Sequence, residues 1–185
     1  MKNPCLVFVD WQQGFADLEY WGGGRNNPLA EQNAVQLLRH WRHQQWPVVH
    51  IRHDSTDPNS KLHPNQPGNA LEAFANPLAG EPLYAKNVNS AFIGTDLETD
   101  LRAQNISKLV FCGISTDHCV NTSVRMAANL GFEVRVAADA CYTFDRTDAL
   151  GRQLDAQTIH DVHLASLHGE FAQIKTTEQI IIQTW

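Results

Sequence analysis

Short apolar runs alternate with longer segments of helical period along almost the whole chain, and that alternation constrains the fold more than any other feature. Residues 5–9 (CLVFV), 47–51 (PVVHI), 83–85, 109–113 (LVFCG), 133–138 and 171–175 read as strands. Between and after them lie helical patterns. Residues 29–45 carry Val35, Leu38 and Trp41 on one face, and a capping-box pattern at Thr95 and Glu98 opens a helix to about Gln104. Residues 117–130 end at Gly131, 155–167 end near Gly169, and 178–183 form a last helix. Apolar strands separated by helices predict a parallel sheet covered on both faces. In such a sheet, ligands bind beyond the carboxyl ends of the strands, near the point where strand order reverses.

Size and composition narrow the reading further. At 185 residues and 43% hydrophobic, the chain suits one domain, 1–185, with a substantial core. Residues 53–82, rich in Pro, Asn and Gly, read as a long loop with a short helix near 70–75, and loops of that length in compact domains are usually functional. A formal net charge of -6 without a basic run argues against nucleic acid or an anionic membrane surface as a partner. The N-terminus reaches a short strand that stops at Asp10, without a leader's apolar region, and no stretch approaches a membrane span. Cys5, Cys112, Cys119 and Cys141 show no paired spacing, so reduced thiols in a cytoplasm are expected.

Three side chains that could carry chemistry follow directly on predicted strands. Cys119, in GISTDHCVNT (residues 113–122), falls in the first turn of a helix if Asp117 is its N-cap, where free N–H groups and the helix dipole favour a thiolate. Asp10 ends the first strand, where partial desolvation makes a carboxylate a better base. Lys86 ends the third. Alone, Lys86 would be a surface lysine; together the three form a base, a nucleophile and a balancing cation on one edge of the sheet. Cys5, Cys112 and Cys141 lie in or beside apolar runs and read as buried packing residues.

Other candidates are weaker. His50, His53, Asp54 and His63 cluster in sequence but lack a standard metal-ligand spacing, so hydrogen-bonding loop histidines are the preferred reading and no metal is expected. His118 neighbours Cys119, yet adjacent helical residues point in different directions, so it reads as a packing or hydrogen-bonding residue at the edge of the site. Trp21-Gly22-Gly23-Gly24 lacks the strand and lysine context of a phosphate cradle and reads as a turn. Trp11, Phe15 and Phe92 are candidate walls of a pocket for a small planar substrate, with core packing as the alternative.

With these residues in hand, the chain resembles the isochorismatase-like cysteine hydrolase superfamily nearly end to end. The resemblance is carried by VFVDWQQGF at 7–15, KNVNSAFIGTDLETDL at 86–101 and CGISTDHCVNTSVRMAANLGFEVRVAADA at 112–140. It implies a three-layer α/β/α fold, with a six-stranded parallel sheet in Rossmann-like order. It also implies an Asp10-Lys86-Cys119 triad, a cis peptide between Ile114 and Ser115, and an oxyanion hole from the Ser115 and Cys119 N–H groups. Family members are commonly dimers or tetramers, so a homo-oligomer is expected.

The chain departs from two branches of that family. Nicotinamidases carry an Asp-x-His metal pair after the second strand; here His53 and Ser55 stand at those positions. Isochorismatases proper cleave a vinyl ether and often lack the cysteine, which is present here as Cys119. The resemblance therefore implies a metal-independent amidohydrolase, without cofactor, cleaving a carboxamide, carbamoyl or lactam C–N bond of a small molecule. It looks most similar to the branch that includes streptothricin hydrolase. The alternatives are an ether hydrolase using Asp10 as acid, and a metal-dependent amidase similar to nicotinamidase.

Overall fold

The computed structural model describes residues 3–183. Met1 and Lys2, where the N-terminal reading begins, lie outside them. The strands are β1 (Cys5–Val9), β2 (Val48–His53), β3 (Leu83–Lys86), β4 (Lys108–Ile114), β5 (Glu133–Tyr142), the two-residue β6 (Arg146–Thr147) and β7 (Gln153–Leu154), and β8 (Gln173–Lys175). Six of them form one parallel sheet in the order β3-β2-β1-β4-β5-β8; β6 and β7 make a small antiparallel ribbon. Strand order reverses between β1 and β4, so the crevice where ligands bind in such sheets lies between their carboxyl ends. This is the expected three-layer α/β/α architecture in Rossmann-like order.

The helices are α1 (Leu18–Trp21), α2 (Ala30–His43), α3 (Leu97–Ala103), α4 (Asn121–Asn129), α5 (Ala156–Leu167) and α6 (Thr177–Ile182). The α2 and α6 helices pack on each other and on β5, while α4 and α5 pack together on the other face. With both faces covered, every residue of β1 is buried. The buried stripe of α2 is Ala30, Ala34, Leu37, Leu38 and Trp41; Val35, expected on that face, lies at its margin. Trp41 is the helix's largest anchor, and its indole donates to the Pro4 carbonyl at 2.9 Å.

Several local expectations are corrected. The Thr95–Glu98 capping box does not form, because α3 starts one residue later, with Asp96 at the N-cap position; the Thr95 hydroxyl donates to the Ala91 carbonyl at 2.6 Å instead. A complete capping box stands instead at Thr176 and Gln179, opening α6. The β5 strand runs to Tyr142, beyond the expected end at Ala138, with an irregularity in its pairing with β4 between Phe111 and Gly113. Gly113 has φ +141, and a Cβ there would collide with the Val9 carbonyl of the neighbouring strand.

Residues 53–82 contain two short 3₁₀ turns, Pro67–Asn69 and Ala73–Ala75, and are held by side-chain amides. Asn69 Nδ2 donates to the Leu62 carbonyl at 2.8 Å and to Asp54 Oδ1 at 2.9 Å. Gln12 brackets the start of the loop: its Oε1 accepts from the His53 N–H at 2.8 Å while its Nε2 donates to the His53 carbonyl at 3.0 Å. The loop is thereby tied to the segment that carries Asp10. No helix among the described residues is long and apolar enough to cross a membrane.

Candidate active site

Five adjacent strands deliver one contribution each to the carboxyl edge of the sheet. In spatial order these are Lys86 at the end of β3, His53 at the end of β2, Asp10 after β1, Cys119 beyond β4, and the segment holding Phe144 and Arg146 beyond β5. Asp10 leaves its strand with φ 53, a left-handed turn that its short polar side chain tolerates. Lys86 is paired in register with His53, and both reach toward Asp10.

The Lys86 ammonium is the hub. Nζ lies 2.7 Å from Asp10 Oδ2, 3.0 Å from His53 Nδ1 and 3.2 Å from Cys119 Sγ. An ammonium has three hydrogens, and three acceptors surround it. Burial alone would lower the Lys86 pKa, but Asp10 and then Cys119 more than offset that, and it is raised. Lys86 is therefore a charged side chain in a dry site, balanced by the Asp10 carboxylate. The other oxygen of that carboxylate, Oδ1, is buried without a hydrogen-bond partner, and Cys119 Sγ lies within 4.8 Å of the carboxylate.

Cys119 differs from its expected setting. It sits in a wide turn of π-helix, Thr116–Val120, that follows a cis peptide between Ile114 and Ser115 and precedes α4. Asp117 does not cap the helix. Its carboxylate is drawn away to the Thr143 hydroxyl and to Arg146 Nε at 3.0 Å, with His118 Nε2 at 3.4 Å. Burial would raise the Asp117 pKa, but Arg146 and Thr143 hold it down to about 2. For Cys119, burial and then the Asp10 charge push the thiol up, and Lys86 only partly opposes them. The resting group is a thiol, contrary to the thiolate expected from a helix N-terminus.

A cavity of about 100 Å³ opens onto Cys119, with Ser115, Asn89 and His53 around the sulfur and Phe15, Trp21, Phe144 and Leu62 as apolar walls. Arg146 and His118 also line it. Phe15, Trp21 and Phe144 stack on one another, with centroids 4.7 to 6.0 Å apart. Of the expected pocket residues, Phe15 and His118 face the cavity. Trp11 and Phe92 do not. Trp11 is packed in the core against Phe8, Phe74 and Tyr142, and Phe92 stacks on Phe132 at 5.9 Å.

Trp21, Asn89, Phe144 and Arg146 went unrecognised in the sequence. The last two stand just beyond the true end of β5, the one signal that could have revealed them. His50 and His63 lie apart from the site. His50 is buried against Glu81 at 2.9 Å, and His63 caps a turn in the loop. A larger groove of about 430 Å³ near Arg42, Trp46 and Glu81 carries an ion pair and no nucleophile.

Asp10, His53 and Cys119 are the one group of three ligand-capable side chains found within reach of a single metal ion among the described residues. The Lys86 ammonium lies within hydrogen-bond distance of all three, so a divalent ion would meet a fixed positive charge at its centre. The donor set does not fit a metal.

The fold is thus a doubly wound α/β sheet with a thiol, an ammonium and a carboxylate converging at its switch point. The chain belongs to the isochorismatase family: the Isochorismatase domain profile matches residues 4–179. It is 43% identical over 180 residues to the isochorismatase family protein YrdC of Bacillus subtilis, covering 97% of this chain and 95% of that one. A crystal structure from Chromobacterium violaceum, ascribed to a hydrolase of the family, superposes with a TM-score of 0.92 at 46% identity, covering 97% and 92% of the two chains. Over shorter stretches the chain is 32% identical to streptothricin hydrolase of Streptomyces noursei (53% of this chain, 35% of that one). It is 29% identical to maleamate amidohydrolase of Pseudomonas putida (63% and 51%).

Proposed function

We propose that this isochorismatase-family hydrolase is a metal-independent cysteine amidohydrolase that cleaves a small-molecule carboxamide, carbamoyl or lactam C–N bond through a Cys119 thioester. The observation that carries the reading is the buried arrangement of Asp10, Lys86 and Cys119. One carboxylate oxygen is held by the ammonium, the other is buried without a partner, and the thiol lies within 4.8 Å of the carboxylate. Asp10 Oδ1 takes the thiol proton, and Sγ attacks the carbonyl carbon. The N–H groups of Ser115 and Cys119 receive the developing oxyanion; one such donor is worth about 3 kcal/mol of barrier. Asp10 then returns the proton to the departing ammonia or amine. Water, deprotonated by the same carboxylate, hydrolyses the thioester. Lys86 holds Asp10 in place and stays charged throughout.

The cavity supports the substrate class. About 100 Å³ beside a wall of mutually stacked aromatic rings suits a small planar group, with Asn89 and Arg146 to bind its polar end. The name of one relative, an amidohydrolase, agrees with C–N cleavage. An ether hydrolase using Asp10 as acid is the second reading; the presence of a cysteine in contact with Lys86, which an ether hydrolase does not need, favours the first. The test is ammonia release from a panel of small amides and ureido compounds, by wild type and Cys119→Ala, each with and without chelator. Release by wild type alone, indifferent to chelator, is expected. Equal turnover by Cys119→Ala contradicts the thioester, and loss on chelation contradicts metal independence.

A further inference from the structure

His53, half-buried, is the fourth group of the cluster around Lys86, and the mechanism above gives it no task. Its Nδ1 is 3.0 Å from Lys86 Nζ. A charged lysine can only donate, so Nδ1 must accept, and the ring proton resides on Nε2. The Val88 backbone also acts on the ring, favouring its protonated form. The backbone of His53 is clamped on both sides by the Gln12 side chain, which follows Asp10 by two residues. The ring is thus fixed relative to the carboxylate it serves.

We propose that neutral His53 is a positioning residue for Lys86. By accepting the third ammonium hydrogen it aims the other two at Asp10 and Cys119, and its protonation disables the triad. Without this acceptor one ammonium hydrogen is left without a partner in a dry site, and the charged group is held in its place by two bonds instead of three. With a proton on Nδ1, two cations would face each other across 3.0 Å, and the ammonium must withdraw from Asp10 and Cys119.

The charged and titratable groups around the ring are Lys86 and Asp10 from the adjacent strands, Cys119 from the turn beyond β4, and Asp54, whose carboxylate is tied to Arg52 and Asn69. Burial first, and then Lys86, lower the His53 pKa below its ordinary value of 6.5; Asp10 and Asp54 oppose them without prevailing. At neutral pH the ring is an acceptor.

The inference rests on the amidohydrolase reading only in taking Cys119 as a nucleophile, so its test needs no substrate. The rate of Cys119 alkylation by iodoacetamide, read by peptide mass spectrometry across pH 5 to 8, reports the thiol's reactivity. The sulfur displaces iodide and its proton passes to Asp10. For wild type, the logarithm of the rate should fall more steeply, by one further unit of slope, below a midpoint under 6.5. That midpoint should coincide with the His53 titration followed by ring-carbon NMR.

His53→Asn places an amide oxygen near the position of Nδ1 and cannot titrate. It should keep the rate at pH 8 within about threefold and lack the added slope, while His53→Leu should lose about tenfold or more at pH 8, as expected when a charged donor loses its acceptor. An unchanged acid step in His53→Asn, or an unchanged rate in His53→Leu, overturns the proposal. If neither variant folds, the wild-type comparison decides: an NMR midpoint more than about one unit from the kinetic one overturns it. Intact alkylation behaviour in a protein that releases ammonia from no amide would refute the proposed function and leave this role standing.

Discussion

Replacing Asp117 with Asn tests how the turn that carries Cys119 is held. The carboxylate is almost fully buried, accepts from the Thr143 hydroxyl and from Arg146 Nε at 3.0 Å, and has its pKa held down from 3.8 to about 2. At 1.36 kcal/mol per unit, that depression corresponds to about 2 kcal/mol of stability carried by the charged form. Because the folded-state pKa is the lower one, the contribution is fully present above the unfolded value of 3.8 and is lost as pH falls toward about 2. Asp117→Asn should therefore unfold in urea with a free energy about 2 kcal/mol smaller at pH 7, or a melting temperature roughly 4 to 8 °C lower. The gap should narrow only below pH about 4. A difference under about 0.5 kcal/mol, or one that is the same at pH 3 as at pH 7, would refute the argument that this ion pair anchors the turn.

Three further outcomes follow from the same geometry. Lys86→Met leaves the Asp10 carboxylate buried and unpaired and should cost about 3 to 5 kcal/mol by urea unfolding at pH 7; a cost below about 1 kcal/mol would mean the pair is not desolvated. Gly113→Ala should destabilise by several kcal/mol, since it combines φ +141 with a collision against Val9. Retained stability there would show that β1 and β4 are not so closely apposed. Trp11→Leu should lower stability with little change in KM, whereas Phe144→Leu should raise KM for the amide found in the panel; the reverse pattern would place Trp11 in the cavity after all.

The end of β1 was legible because a strand covered on both faces is apolar along its length, so the charge of Asp10 marks where it emerges; Lys86 instead ends an edge strand and is its one buried residue, which the sequence did not show. The motif at 112–140 singled out Cys119, which does lie beside Lys86. What could not be read was set by register and by distant partners. His53 meets Lys86 because β2 and β3 pair at those residues, a fact of tertiary structure rather than of spacing. Asp117 has the right type and position for an N-cap, but Thr143 and Arg146 arrive from the far end of β5 and claim its carboxylate. The polar break at Asp139 disguised the continuation of β5, and with it the roles of Phe144 and Arg146. Trp11 and Phe15 look alike in sequence, yet one side chain enters the core and the other faces the cavity.

The central claim is that Cys119 forms a thioester. Rapid quenching of wild type mixed with an amide it hydrolyses, followed by intact-mass and peptide mapping, should reveal the acyl group's added mass on the Cys119 peptide, absent from Cys119→Ala and discharged with time. Turnover without any adduct, at a rate Cys119→Ala shares, would contradict the account and leave Asp10 to act on a bond without a covalent intermediate.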